Sequence, residues 1–169
     1  MNAPDHSSLQ DTLPLVLVVD DEARSIDAIR RNLEEDFRVL TATSADEARG
    51  LLERHEVSVI LCDQRMPGTS GVKFLKEVRE LWPDTVRIII SGYTDSQDII
   101  AGINDAGIYQ YLLKPWVPEH LLSTVARAAE ARSLQMQTQR LNLELRTSTP
   151  VLRQRSSASL ASARAAFDF

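Results

Sequence analysis

Five polar side chains of this sequence share one property: each stands where an apolar run stops. They are Asp20, Asp21, Asp63, Ser91 and Lys114. Apolar runs of this length that are rich in β-branched residues are typical of buried strands. The carboxyl ends of parallel strands meet at one edge of an open α/β sheet, which is where such sheets place their ligands. We therefore expect these five side chains to lie close together.

Three converging carboxylates predict a cation site. Because their negative charges repel one another, the carboxylates must either bind protons more tightly or be neutralised by a cation. No His or Cys joins them, and oxygen ligands at a partly open edge suit Mg²⁺, which also coordinates phosphate. A simpler interpretation stays open, in which Asp63 caps the following turn and Asp20 and Asp21 cap a helix. That interpretation gives no role to Lys114, which we expect opposite the carboxylates.

The same residues are suited to phosphoryl transfer. Asp63 is a candidate nucleophile toward phosphorus, which would yield an aspartyl phosphate. Mg²⁺ and Lys114 would neutralise the charge of the transferred group, and the Ser91 hydroxyl would donate to one of its oxygens. No general base is evident beside Asp63, since His55 and His120 fall outside the strand ends. We therefore expect a lasting modification and no turnover enzyme.

Predicted strands and helices alternate five times along the chain. The predicted strands are Leu15–Val19, Phe37–Thr41, Val57–Cys62, Thr85–Ile90 and Ile108–Leu113. The segments between them carry apolar residues at helical spacing, and Ser44–Glu47 and Thr94–Gln97 are capping boxes. Right-handed crossovers between parallel strands predict an α/β fold, the flavodoxin-like (βα)5 doubly wound parallel sheet of order 2-1-3-4-5, with an extended C-terminal helix.

Composition bounds the classes of function that fit. The 169 residues carry a net charge of −5, which argues against nucleic-acid binding through bulk electrostatics. The one cysteine, Cys62, lies in an apolar run and is expected to be a buried structural thiol. No apolar stretch is long enough to span a membrane and no signal pattern opens the chain, so we expect a cytoplasmic protein without a membrane partner.

Four short motifs follow one another at characteristic spacing. They are VVDD at 18–21, D-x-x-MPG-x-x-G at 63–71, SG at 91–92 and Y-x-x-KP at 111–115. Together they resemble the receiver domain of bacterial two-component response regulators, and the resemblance covers about residues 15–132. It implies a partner sensor histidine kinase, a Mg²⁺ cofactor and no enzymatic activity of the domain itself.

The resemblance assigns a role to each matching residue. For the phosphoryl group, Asp63 matches the phosphoacceptor and Lys114 the phosphate-binding lysine. For Mg²⁺, Asp21 matches the direct ligand, Asp20 acts through water, and the main-chain carbonyl of Arg65 matches a further ligand. Ser91 matches the switch hydroxyl and Tyr111 the switch aromatic. It also implies a cis bond between Lys114 and Pro115. A simpler interpretation of Tyr111, as a half-buried strand aromatic, stays open.

Two positions depart from the family pattern. Trp116 stands where Phe is commoner, and it is expected to preserve an apolar plug. Val117 stands where the family often has Asp as a helix cap, and Val has no capping atom, which costs about 1 kcal/mol. We expect long-range packing to hold the start of that helix.

The C-terminal part of the chain suggests a further association. The expected organisation is a disordered leader (1–13), the receiver domain (14–132), an extended helix to about Arg146 (133–147) and a linker to an absent output domain (148–169). Leu134, Leu141 and Leu145 fall at heptad-compatible spacing, which predicts a homodimer through this helix. The polar residues around them leave open a charged linker helix.

The motifs SGYTD at 91–95, KPW at 114–116 and NLELR at 142–146 resemble the NtrC class of transcriptional regulators, and more narrowly the hydrogenase-synthesis regulators of the HupR/HoxA type. In that class the receiver controls a transcription-activating output domain, through which alone DNA is contacted. A receiver with another output, such as a signalling phosphodiesterase, is the alternative. A phosphatase with an Asp nucleophile would need an acid–base residue at the position of Arg65.

Overall fold

The computed structural model describes residues 12–92 and 96–165, with side chains as far as residue 148 except at 96 and 98. Ten elements alternate along these residues: β1 (Leu15–Val19), α1 (Ala23–Leu33), β2 (Arg38–Ala42), α2 (Ala45–Arg54), β3 (Val59–Asp63), α3 (Gly71–Leu81), β4 (Val86–Ser91), α4 (Ser96–Ala106), β5 (Gln110–Leu113) and α5 (Pro118–Ala165). Residues 1–11 of the expected leader and Thr94 of the second capping box lie outside the described residues.

The five strands form one parallel sheet in the order β2-β1-β3-β4-β5, which confirms the predicted fold. The register aligns Val19 of β1 with Cys62 of β3, and Asp63 with Ile90 of β4. The three central strands therefore end within one residue of their neighbours in the register. Asp20, Asp63 and Ser91 all reach the carboxyl edge of the sheet.

Both faces of the sheet are buried, which explains the continuous apolar runs of β1 and β3. Alternate residues of β1 belong to different faces: Leu17 and Val19 pack with α2, α3 and α4, whereas Val16 and Val18 pack with α1 and α5. The predicted strand pattern follows from this double cover, since neither face tolerates polar residues.

Helix α2 begins at the predicted cap. The Ser44 hydroxyl accepts a hydrogen bond from the backbone N–H of Glu47 at 3.2 Å. The Glu47 carboxylate in turn accepts from the N–H and hydroxyl of Thr43, each at 2.9 Å. The first of these bonds gives an acceptor to one of the N–H groups that a helix start leaves unpaired, and the other two tie the residue before the cap to the first turn.

Helix α5 begins without a capping side chain at Val117, as its sequence implies. The side-chain amide of Asn32 in α1 donates to the carbonyl oxygen of Pro118 at 2.9 Å, and Leu121 is fully buried. Contacts from a distant helix therefore hold this helix start.

The helix extends to Ala165, well beyond the end predicted near Arg146, so the expected linker is helical as far as residue 165. Residues 147–165 include four Ala and three Arg, which favour helix. The chain divides into two compact units, one ending at Arg132 and the other beginning at Ser133. In the second unit the side chains of Leu134, Leu141, Leu143 and Leu145 are 56–66% exposed. No helix within the described part of the chain combines the length and the apolar character needed to cross a membrane.

Candidate functional site

Three carboxylates meet at the carboxyl edge of the sheet. One oxygen each from Asp20, Asp21 and Asp63 lies within 4.8 Å of the other two. Asp20 and Asp63 are buried and Asp21 is exposed, so the cluster opens to solvent on one side. The residues that the sequence places at the ends of β1 and β3 are thus brought together, because those strands are neighbours in the sheet.

Lys114 lies opposite the carboxylates. Its Nζ is 2.7 Å from Oδ1 of Asp63 and 3.8 Å from Oδ2 of Asp20. The Lys114 backbone N–H donates to the carbonyl of Ser91 at 2.8 Å, which fixes the start of the loop that follows β5. The Lys114-Pro115 bond is cis, as the resemblance implies.

The charges of the site are unequal. Burial raises the pKa of Asp20 above its ordinary value of 3.8, partly opposed by the Glu22 N–H, which donates to Oδ1 at 2.9 Å. Burial disfavours the Lys114 cation, but the hydrogen bond and charge of Asp63 outweigh it and leave the Lys114 pKa raised. The ammonium of Lys114 therefore faces a cluster of three carboxylates, a balance of charge that favours binding of a cation.

The donor set fits a Mg²⁺ ion. It consists of carboxylate oxygens on a partly open edge, where water and a phosphoryl oxygen can complete the coordination. Arg65, whose main-chain carbonyl the resemblance names as a further ligand, forms an antiparallel bridge with Ser70 in the loop after β3. That bridge holds the loop beside the carboxylates.

Ser91 and Tyr111 occupy adjoining strands. Ser91 is buried at the end of β4, next to the strand that bears Asp63, and its hydroxyl donates to the Gly92 carbonyl at 3.4 Å. Tyr111 in β5 is half-buried and packs against the core cluster that includes Ile99 of α4. Both interpretations of Tyr111, as switch residue or as strand aromatic, accommodate this position.

The remaining predicted features of the site take their expected places in the packing. Cys62 is fully buried, and burial raises the pKa of its thiol well above the ordinary value, so it is an unreactive core residue. Trp116 is half-buried and packs against the cluster of α1 and α5, as expected of an apolar plug.

Two residues that flank the 65–70 loop after β3 gain importance only from the structure. Gly71 has no space for a β-carbon, which would lie 2.3 Å from the carbonyl oxygen of Asp63. Gln64 is buried although polar, and its side-chain oxygen accepts from the N–H of Val72 at 3.0 Å. The sequence signal for Gln64 was a polar residue directly after a buried strand, which sequence reasoning did not use.

Comparison with known proteins agrees with this geometry. The family model described as "Response regulator receiver domain" matches residues 16–126. The chain is 71% identical over 161 residues to the hydrogenase transcriptional regulatory protein HoxA of Cupriavidus necator, covering 95% of this chain and 33% of that protein. It is 51% identical over 154 residues to HoxA of Bradyrhizobium diazoefficiens, covering 91% and 32%.

Solved structures give the same result. A response regulator receiver domain protein from Clostridium thermocellum superposes with a TM-score of 0.68 at 32% identity, covering 73% of this chain and 99% of that one. The chain spans about a third of the length of the two curated relatives.

Proposed function

Because this chain belongs to the response regulator receiver domain family, we propose that Asp63 accepts a phosphoryl group from a sensor histidine kinase. The observation that carries the proposal is the site itself, in which Lys114 Nζ lies 2.7 Å from Asp63 among three clustered carboxylates. An Asp63 oxygen would form a bond to phosphorus while the bond from phosphorus to the donor imidazole nitrogen breaks. The leaving imidazole keeps the electron pair.

The chain's own residues prepare this transfer. Asp20, Asp21, Asp63 and the Arg65 carbonyl would hold Mg²⁺, which supplies charge neutralisation for phosphoryl oxygens when bound. Lys114 supplies a second positive charge from the opposite side, and transfer exchanges its contact with Asp63 for one with a phosphoryl oxygen. Positioning and charge, rather than an acid or base, are what this site offers.

The proposed phosphoaspartate is expected to last. Of the histidines in the described residues, His55 ends α2, and His120 lies near the Gln110 amide at 3.5 Å, so neither adjoins Asp63. Without a base to activate water, hydrolysis is slow. The domain therefore serves as a regulatory element whose modification persists long enough to be sensed.

Labelling tests the proposal directly. The purified chain is incubated with Mg²⁺ and acetyl phosphate, and its mass is compared with that of Asp63→Asn. Asp36→Asn, at an exposed position after α1, is the matched control. We expect a mass gain in the parent and in the control but not in Asp63→Asn. Labelling of all three, or of none, would refute the assignment.

We propose that the signal leaves the site through Ser91 and Tyr111. The Ser91 hydroxyl would move toward the phosphoryl group, and the Tyr111 ring would turn inward against α4. Beryllofluoride, which mimics the phosphoryl group, is the probe. In Tyr111→Ala, the beryllofluoride-induced shifts of α4 amide resonances are expected to shrink while those near Asp63 remain. Undiminished α4 shifts would leave Tyr111 as an ordinary strand aromatic.

The receiver is proposed to control a transcription-activating output domain. Both HoxA relatives are transcriptional regulatory proteins about three times as long as this chain, and DNA would be contacted only through the additional part. The full-length gene tests this proposal, because it either encodes such an output domain or does not.

Homodimerisation through residues 133–147 is proposed from the exposed leucines. Leu134, Leu141 and Leu145 recur at intervals of seven and four residues, and each is more than half exposed. Sedimentation of the parent is compared with Leu141→Lys, and Leu143→Lys, on a different stripe, is the control. We expect a dimer for the parent and control and a monomer for Leu141→Lys. A monomeric parent at high concentration would remove the proposal.

A further inference from the structure

Gln64 makes three hydrogen bonds directly after the proposed phosphoacceptor. Its backbone N–H donates to the Ile90 carbonyl of β4 at 2.9 Å, and its own carbonyl accepts from the N–H of Gly71 at 2.9 Å. Its side-chain Oε1 accepts from the N–H of Val72 at 3.0 Å. The side chain is buried, so these bonds are shielded from competition with water.

The bonds of Gln64 close the loop that carries Arg65. Two of them join residue 64 to the first two residues of α3, so both ends of the 65–70 loop are tied at one point. Within the loop the bridge between Arg65 and Ser70 continues the closure. The carbonyl of Asp63 lies against Gly71 with no intervening space, which couples the strand end to the same point.

Helix α3 does not depend on Gln64 for its start. Ser70 is its N-cap, and the Ser70 hydroxyl accepts from the N–H of Lys73 at 3.2 Å. The bond from Val72 to Gln64 is therefore a second tie at the same helix end. The acceptor of this bond is Gln64, the residue next to Asp63, whereas the acceptor of the other bond is Ser70, at the far end of the loop.

We propose that Gln64 is a positioning residue for metal binding and phosphoryl acceptance. By accepting a hydrogen bond from the Val72 N–H, Gln64 would hold the loop so that the Arg65 carbonyl and the Asp63 carboxylate both face the metal site. This inference rests on the proposed function. Groups that orient metal ligands without touching the metal typically change metal affinity by about 10–100-fold when removed.

Two substitutions at the same helix end separate positioning from simple helix stabilisation. Gln64→Met removes the acceptor and nearly preserves side-chain length, while Ser70→Ala removes the other cap. Mg²⁺ alone is titrated against each variant and the parent by amide resonance shifts, and the initial rate of labelling by acetyl phosphate is measured. Urea unfolding and hydrogen exchange of the Val72 amide report on the structure independently of phosphorylation.

We expect Gln64→Met to raise the Mg²⁺ dissociation constant about tenfold, to slow labelling and to speed exchange of the Val72 amide. Ser70→Ala should keep both the dissociation constant and the labelling rate within about twofold of the parent, even where its stability loss is similar. Gln64→Glu retains an acceptor oxygen and should restore protection of Val72.

The outcomes are distinguishable. If Gln64→Met binds Mg²⁺ as the parent does, or if Ser70→Ala weakens binding equally, the inference fails. If Gln64→Met does not fold, Gln64→Ala removes the same acceptor and is judged by the same measurements. If the parent neither binds Mg²⁺ nor is labelled, the proposed function itself is refuted. If the parent binds Mg²⁺ and is labelled, and Gln64→Met behaves as the parent does, only the role of Gln64 is refuted.

Discussion

Replacing Gly71 by Ala is the sharpest test of how closely the loop after β3 fits the acidic site. Gly71 opens α3, and its position is restricted by space rather than by backbone conformation. A β-carbon there would lie 2.3 Å from the carbonyl oxygen of Asp63 and 2.7 Å from Cδ1 of Ile89. Ordinary contacts begin at 3.4 Å, so the Asp63 backbone would have to withdraw by about 1 Å.

The size of the effect follows from that displacement. Overpacking of this kind costs about 1–3 kcal/mol of unfolding free energy when the neighbour is backbone and cannot rotate away. A reacting group misplaced by about 1 Å can lose on the order of 100-fold in rate. We therefore expect Gly71→Ala to be less stable and to label with acetyl phosphate far more slowly than the parent.

Gly50→Ala is the matched control, since it makes the same chemical change in helix α2. A β-carbon at Gly50 meets only the Arg54 guanidinium at 3.7 Å, an ordinary contact. Ala is favoured over Gly in a helix interior by about 1 kcal/mol, so this variant should gain stability and label normally.

Urea unfolding and the initial rate of labelling are measured for both variants. A Gly71→Ala protein with the stability and labelling rate of the parent would show that the backbone around Asp63 and Gly71 moves at little cost to make room for the β-carbon. That result would refute the inference that Asp63 is held by its contact with α3.

Three further substitutions test the packing and the charges. Hydrogen bonds from Thr43 hold the pKa of Glu47 below its ordinary value of 4.5. The stability that ionised Glu47 contributes is present above pH 4.5 and is lost as the pH falls through the lowered pKa, so the melting temperature of Glu47→Gln should change less with acid pH than that of the parent. Burial raises the pKa of Asp20 in the folded protein above its ordinary value of 3.8, so stability is lost as the pH rises from 3.8 through the raised pKa. With EDTA at neutral pH, Asp20→Asn should therefore unfold at a higher urea concentration than the parent, and a lower midpoint would contradict this. Gly102→Ala would place a β-carbon 2.0 Å from Cγ1 of Val72, a stiff β-branched side chain, and should cost about 1–3 kcal/mol in urea unfolding; an unchanged midpoint would mean that α3 and α4 separate easily.

Local patterns were enough to predict the fold. The apolar runs of β1 and β3 and the cap at Ser44 depend on neighbours in sequence, and the structure places them within two residues of the prediction. The order of the strands followed from the alternation and from the right-handed crossover, because few arrangements satisfy both. The same reasoning placed Asp20, Asp63, Ser91 and Lys114 at one edge.

Other features depend on residues far apart in the sequence. The sequence offers no side-chain cap at the start of helix α5, yet the side-chain amide of Asn32 in α1 donates to the carbonyl of Pro118 and holds that helix start. Local propensity cannot reveal such a partner, because the two residues are separated by 86 positions.

The order of residue types along the chain is enough to identify the groups that can act: an aspartate after a buried strand, two acidic neighbours and a lysine, placed at the ends of apolar runs. How tightly these groups are held depends on the folded packing. The 2.7 Å contact of Lys114 with Asp63, the Gly71 backbone against the Asp63 carbonyl and the bond from Val72 to Gln64 all join separate elements. Such contacts are set by the packing of helices on the sheet, which no single stretch of sequence encodes.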